Sequence, residues 1–436
     1  MKMLAIICAT LLMPFASQAL TFAEYIRYVS DGHPELRLLQ ARTDQFSADV
    51  QFAEGAYDSK FVINSASRLS GYYDGIYSEQ KFARPIRPFN AEVFTQYRLA
   101  DGDFPVYEQQ YQTLSGGEVS AGVKLSLLQG REIDKNRLNI QQSSGYRKKW
   151  QQEIKLSQSE FYYSAVSAYL DWLQATHYYA LSHQLVVATE KRREGMKTRV
   201  ESGDIARISF TDFETRLMER QIARKVAESK VRRYQQKLGY FIGHHVRSDI
   251  LPSAESVAPT FSWPFADSYT YSFASLPVNH PALAAQRVEV ELAGQKVKFA
   301  DNTLKPKLDV KLAVAQDLGN GPASLDGTDT KVGLFFSVPF DRTQAKANKF
   351  KASSALRQEQ EKLALIETKL STTIAQVNTD FEYAKQLLTM QTRQVDLANA
   401  LLEQEKRRFE LGSSDFFLLN TRESDAFKTR LSKVDA

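Results

Sequence analysis

Between Thr343 and Leu411 the chain has no proline and is dominated by Ala, Leu, Gln, Glu and Lys, all good helix formers. Ile374, Phe381, Leu388, Val395, Leu402 and Phe409 recur there at heptad spacing. A second column, Leu363, Leu370, Val377, Ala384, Gln391, Ala398 and Glu405, lies four positions earlier in each heptad. Two columns at this spacing make a seam that has to pack against other helices. One helix over the whole stretch would be about 100 Å long at the α-helical rise, far beyond a globular core. The seam therefore calls for a surround that is long and paired, or long and hollow.

The chain is also written twice. Val50-Gln51-Phe52-Ala53 matches Val297-Lys298-Phe299-Ala300, and His33-Pro34 matches His280-Pro281, both at an offset of 247 (297 − 50). Gly122, Ser126 and Arg131 match Gly333, Ser337 and Arg342 at 211 (333 − 122), and Arg199 with Gly203 matches Arg408 with Gly412 at 209 (412 − 203). The fall from 247 to 211 assigns 36 extra residues to the first copy, between Ser70 and Ser120. The 209 offset carries the heptads onto Ile154, Phe161, Ala168 and Ala175, and onto Ala165, Trp172, Tyr179 and Val186. The sequence thus predicts a first repeat over 20–242 with a long helix at about 134–200. A Pro- and Ser-rich linker at 243–272 follows, then a second repeat over 273–436 with its long helix at about 343–411.

Each repeat opens on a helix whose first turn carries a proline, a position where the missing N–H costs nothing. The preceding histidines stand alone and read as caps, not metal ligands. Strands separate the two helices. Leu308, Val310, Leu312 and Val314, then Val332, Leu334, Phe336 and Val338, alternate with neighbours that are polar or small apart from Phe335, over about 307–317 and 329–339. The first repeat alternates in the same way over about 60–70 and 119–128. Strict period-2 alternation makes one apolar and one wet face, as in a barrel wall or in an amphipathic hairpin laid on a soluble core. Two hairpins cannot bury such faces alone, so barrel closure or pairing between subunits is required.

Lys2, an apolar run to Phe15 and Ala16-Ser17-Gln18-Ala19 form a secretory leader over 1–19, too short to span a bilayer. Cys8, the sole cysteine, lies within it, which excludes thiolate and disulfide chemistry from the mature chain. A formal charge of +5, with both signs interleaved, describes solvated helix faces and no nucleic-acid footprint. No hydrolase, metalloprotease or nucleotide motif is present, so neither an enzyme, a metal site nor a cofactor is expected.

With its duplicated x-Pro-x-Leu helix starts, Leu304-Lys305-Pro306 and Val338-Pro339-Phe340-Asp341 steps and Arg-x-x-x-Gly tips, the sequence resembles the TolC-like outer-membrane efflux proteins. The resemblance covers nearly all of the mature chain. It implies a mainly α protomer with a membrane β-barrel, helix-strand-strand-long helix-helix twice. Three protomers with four strands each would form a 12-stranded barrel in the outer membrane of a Gram-negative cell, continued by a periplasmic α-helical tunnel. The implied function is the exit duct of a tripartite system for drugs and toxic compounds. Its partners would be two further copies of the chain, outer-membrane lipid, a periplasmic adaptor (membrane fusion protein) and an inner-membrane transporter. Duct of a type I protein-secretion machine, and periplasmic coiled-coil scaffold, remain as alternatives.

Within that resemblance, Arg199, Gly203, Arg408 and Gly412 mark the adaptor-docking tips, and the apolar strand faces from Leu308 to Val338 would meet lipid. The family's gate carboxylates fall on Leu418 and Thr421 here, so that gate is not reproduced. Asp204, Asp212, Glu214, Asp415 and Glu423 are the acids near the starts of the ascending helices. The lumen constriction is placed on Asp212 or Asp415. The insertion at about 72–118, rich in Tyr, Phe and Arg from Tyr72 to Arg98, reads as a long loop facing the exterior, with a plug or ligand-gating role as the alternative.

Overall fold

The protein is described from a computed structural model that covers residues 20–31, 33–105, 111–243 and 280–436. The leader over 1–19 and all of the linker beyond Gly243 lie outside the described residues. In chain order the elements are α1 (Phe22–Ser30), α2 (Pro34–Glu54), β1 (Lys60–Arg68), β2 (Gly75–Ile86), β3 (Ala91–Gly102) and β4 (Glu118–Ser126). Then come α3 (Lys135–Glu201), α4 (Arg207–Ile242), α5 (Pro281–Asn302), β5 (Lys307–Asp317), β6 (Thr328–Ser337), α6 (Thr343–Glu410) and α7 (Phe416–Asp435). The long helices and the strands that flank them fall within two residues of the bounds read from the sequence. Val338 is the exception, since β6 ends at Ser337 ahead of Pro339. A proline cannot donate to a ladder and pins the residue before it, so the strand stops there.

Two compact units share the chain. One gathers Leu39–Leu156 and Ala274–Leu370, and holds the sheet. Its strands form one antiparallel sheet in the order β1-β2-β3-β4-β5-β6. The expected four strands per chain are therefore six. The insertion is not a loop: β2 and β3 form a hairpin that separates β1 from β4, with nine residue pairs to β1 and seven to β4. Sequence reasoning missed it because Arg84, Pro85 and Gln80 interrupt the apolar alternation of β2. Gly145 of α3 lets α5 approach in this unit, since a Cβ there would stand 2.3 Å from Leu292 Cδ2.

The other unit gathers the chain up to Leu38, Ser157–Phe273 and Ser371–Ala436, and is helical. Its core is the first-copy heptad seam: Phe161, Ala165, Ala168, Trp172 and Ala175 of α3 are buried against α1 and α4, with Tyr25, Val231, Leu238 and Phe241. Tyr25 donates to the Ala165 carbonyl at 3.1 Å, and Tyr169 to that of Leu20 at 3.0 Å. His33 caps α2 as expected: Nδ1 accepts from Glu35 N–H, and Nε2 lies 2.9 Å from the Tyr240 carbonyl. His280 does the same for α5 through Ala282 N–H, in the sheet-bearing unit. The second-copy seam is covered only near its end: Val395 and Leu402 are buried, and Leu402 packs with Leu419 and Ala426 of α7. Val377, Phe381 and Leu388 are exposed. Glu405, a charged member of the seam, is buried and accepts from the Ser414 hydroxyl.

Candidate functional site

The two faces of the sheet differ in chemistry. Directly opposed residues of an antiparallel pair share a face. The register Val123↔Leu312↔Val332 and Leu125↔Val310↔Leu334 puts those apolar residues on one side, joined by Val314, Leu308 and Phe336. Seven of the eight residues expected to meet lipid thus share this face; Val338 lies beyond the strand. Leu312, Val314, Val332, Leu334 and Phe336 are all exposed in the single chain.

The opposite face is charged and paired. Lys81 meets Glu92 at 2.8 Å, Arg98 meets Glu118 at 2.9 Å, and Lys331 reaches the same Glu118 carboxylate at 2.7 Å. Lys124 and Lys307 flank Asp309 at 3.9 and 3.6 Å, and Ser126 donates to it at 2.8 Å. A buried aromatic, Phe94, sits among them with Lys311 Nζ 4.7 Å from its centroid. Phe94 lines an open cleft of about 620 Å³ together with Lys81, Glu92, Lys124, Asp309 and Lys311. One greasy and one charged, hydrated face is what the wall of an aqueous channel through lipid needs. Among the described residues no helix is long and apolar enough to cross a membrane.

The helix tips are built alike. Gly203 and Gly412 have φ of +78° and +73°, the left-handed conformation that ends a helix and favours glycine. Asp204 N–H reaches the Arg199 carbonyl at 2.9 Å and Gly203 N–H that of Val200 at 3.1 Å. Ser413 to Arg408 and Gly412 to Phe409 repeat both bonds. The two arginines add side-chain closure, Arg199 to Asp204 at 2.5 Å and Arg408 to the Ser413 carbonyl at 3.3 Å. The structure thus gives all four residues a structural task at the reversal. Nothing lies within 4 Å of a Cβ added at either glycine.

Asp212 and Asp415 line one cleft of about 390 Å³ at the tips, with Met196, Phe416 and Phe417. Asp415 caps α7, accepting Leu418 N–H at 2.8 Å, and Asp212 lies 3.6 Å from Arg216 one turn on. The other acids are also paired, Glu214 to Arg193 at 2.7 Å. Glu423 is the buried one. It takes both guanidinium nitrogens of Arg192 at 2.6 and 2.7 Å and Arg220 at 3.0 Å. Arg220, buried too, also binds Asn420 and Thr189. Burial by itself would raise the Glu423 pKa, but the hydrogen bonds and charges of Arg192 and Arg220 outweigh it and hold the carboxyl below its ordinary range. Burial lowers the pKa of Arg220. This network ties α3, α4 and α7 together. Sequence reasoning saw Glu423 only as a candidate acid, because its partners lie some 200 residues away in the chain.

The chain thus combines one six-stranded antiparallel sheet that has an apolar and a charged face with a duplicated set of very long helices. Residues 275–436 match the family model described as "Outer membrane efflux protein". The match covers the second repeat. The fold of the chain resembles that of the Campylobacter jejuni CmeC outer membrane channel, with a TM-score of 0.67 at 11% identity, covering 95% of this chain and 81% of that one. VceC of Vibrio cholerae gives 0.66 at 12%, covering 95% and 91%, and the open-state MtrE channel of Neisseria gonorrhoeae 0.63 at 12%, covering 94% and 86%. No curated protein sequence matches the chain.

Proposed function

We propose that this protein is the outer-membrane exit duct of a tripartite export system, a threefold assembly that passes small toxic compounds to the exterior. The observation that carries the reading is the sheet: its two edge strands, β1 and β6, are exposed along their whole length, and its apolar face is open. An open edge and an open apolar face are liabilities in water, and a closed barrel in lipid removes both. An even number of antiparallel strands lets β6 of one protomer meet β1 of the next antiparallel, so a ring closes without a fault. The uncovered α6 residues Val377, Phe381 and Leu388 give the same copies a helical seam.

In this reading the barrel leads to the exterior and the helices line the periplasmic passage. The reversals at Gly203 and Gly412 are the docking surface for a periplasmic adaptor carried by an inner-membrane transporter. Asp212 and Asp415, repeated by the threefold axis, ring the entrance and favour cations. Deleting the gene and measuring accumulation of a fluorescent toxic dye tests the role. Raised accumulation, restored by the wild-type chain and not by a chain with both tip glycines replaced by bulky residues, is the expected result. Unchanged accumulation together with lost secretion of a protein would move the duct to protein export.

A further inference from the structure

The inserted hairpin is built as wall. Its strands pair continuously, nine residues of β1 to β2, twelve of β2 to β3 and seven of β3 to β4. Its turn returns to the helix-bearing end of the sheet: Arg87 lies 3.5 Å from Glu54 of α2, Arg131 sits over the Phe89 ring, and Asn90 donates to Ser126 at 3.3 Å. An exterior loop would not reach those residues. The hairpin also splits its chemistry as the rest of the sheet does. Phe82, Ile76, Val93 and Leu99 are exposed on the apolar side. Glu79, Lys81, Gln96 and Arg98 lie on the charged side, with Gln96 donating to Glu79 at 2.9 Å.

Phe94 shows that β4 is fitted to the insertion. Phe94 of β3 is 2% exposed and faces Gly122 of β4. A Cβ at Gly122 would stand 2.7 Å from the Phe94 ring and 2.4 Å from the Leu312 carbonyl. At the repeat-matched Gly333 the nearest atom is 3.7 Å away. Gly122 therefore houses a side chain that only the inserted hairpin supplies. Arg84, Gln80 and Ser78 of β2 and Thr95, Tyr97 and Asp101 of β3 are the polar members of that side, and Asp101 is the last residue but one of β3. Arg84 lies two residues before the end of β2, close enough for its guanidinium to snorkel out to the head groups.

We propose that β2 and β3 are part of the transmembrane wall, so that three copies close a barrel of eighteen strands, three times the six seen in one chain. The hairpin is then the element that sets the bore. At a strand spacing of about 4.8 Å and a tilt of about 40°, twelve strands give a backbone radius of about 12 Å and eighteen about 18 Å. Eighteen strands is the porin range, in which the lumen is a water-filled channel and not a packed core. The inference rests on the threefold outer-membrane reading, and its test separates the two.

Single-cysteine variants of the full-length protein, made over Cys8→Ser, are treated in intact outer membranes with a membrane-impermeant maleimide. Phe82→Cys and Leu99→Cys on the hairpin's apolar side are expected to label at least tenfold more slowly than Gln96→Cys on its charged side. They should match Leu312→Cys of β5. If the hairpin lies outside the wall, Phe82→Cys and Leu99→Cys label as fast as Gln96→Cys while Leu312→Cys stays protected, and the proposal is overturned. If Leu312→Cys also labels fast, the barrel reading itself has failed. A density map of the detergent-purified wild-type assembly supplies the second measurement: eighteen wall strands support the proposal, and twelve with the hairpin outside refute it.

Discussion

Replacing Glu423 with Gln keeps the side-chain shape and removes the one anion that faces two guanidinium groups. Glu423 is 4% exposed and Arg220 8%, whereas Arg192 is 21% exposed and can turn partly to water. Breaking a buried pair from one side costs about 3–5 kcal/mol, because the partner left behind is an uncompensated buried charge. The escape available to Arg192 sets the expected loss near the lower end, about 3 kcal/mol. Since α7 is held by this network, the loss should appear as local opening. Amide exchange in α7, read on the purified assembly in detergent, should quicken by about 100-fold, as about 1.4 kcal/mol is a factor of ten. Protection in the core around Trp172 should stay unchanged. The double variant Arg220→Met with Glu423→Leu should recover most of the protection, since apolar groups of similar volume replace buried pairs well. The pH dependence has a fixed sign. The folded pKa of Glu423 lies below the ordinary 4.5, so its stabilisation is complete above that value and is lost as pH falls through the lowered one. Exchange in α7, corrected for intrinsic rate, should therefore rise in acid in the wild type and not in Glu423→Gln. A change below threefold in Glu423→Gln at neutral pH would show that the network carries no such load.

Gly203→Ala and Gly412→Ala should each cost about 1 kcal/mol from backbone conformation alone, since space is open at both; thermal melts measure this. Bulky residues at both tips should abolish export while the amount of assembled protein in the outer membrane holds, as read by dye efflux alongside immunoblots. Asp415→Ala should loosen the start of α7 by about 1 kcal/mol through the lost cap, whatever its part in conduction. Planar-bilayer recordings of Asp212→Asn and Asp415→Asn should show reduced cation selectivity and weaker block by divalent cations; unchanged values in both would move the constriction elsewhere. Gly122→Val should prevent assembly, because its side chain meets the Leu312 carbonyl as well as Phe94, whereas Gly333→Val, with no atom nearer than 3.7 Å to its Cβ, should assemble.

Periodicity made the long helices legible: α3 and α6 carry heptads over more turns than chance supplies, and Gly203 and Gly412 mark their ends without ambiguity. The strands β1, β4, β5 and β6 were legible for the same reason, a clean period of two. The hairpin escaped because β2 carries Gln80, Arg84 and Pro85 where a half-buried strand would be apolar or paired, and the matching second repeat offers no template for it. Its fit is visible only in pairs such as Phe94 with Gly122 and Arg98 with Glu118, which the chain does not place side by side. At the tips the residues singled out in the sequence have local tasks in the structure: a cap for Asp415, an ion pair for Asp212, closure of the reversal for Arg199 and Arg408. Burial was the missing quantity. Glu423 looks like its neighbours in the sequence, and only its position against Arg192 and Arg220 separates it from the exposed acids.

Everything functional in this account depends on three copies closing one barrel in the outer membrane. Native mass spectrometry of the protein extracted from the outer-membrane fraction in mild detergent tests that directly. The account predicts a mass of three chains with no stable monomer. Recovery as a monomer, or from the soluble periplasm without detergent, would contradict it.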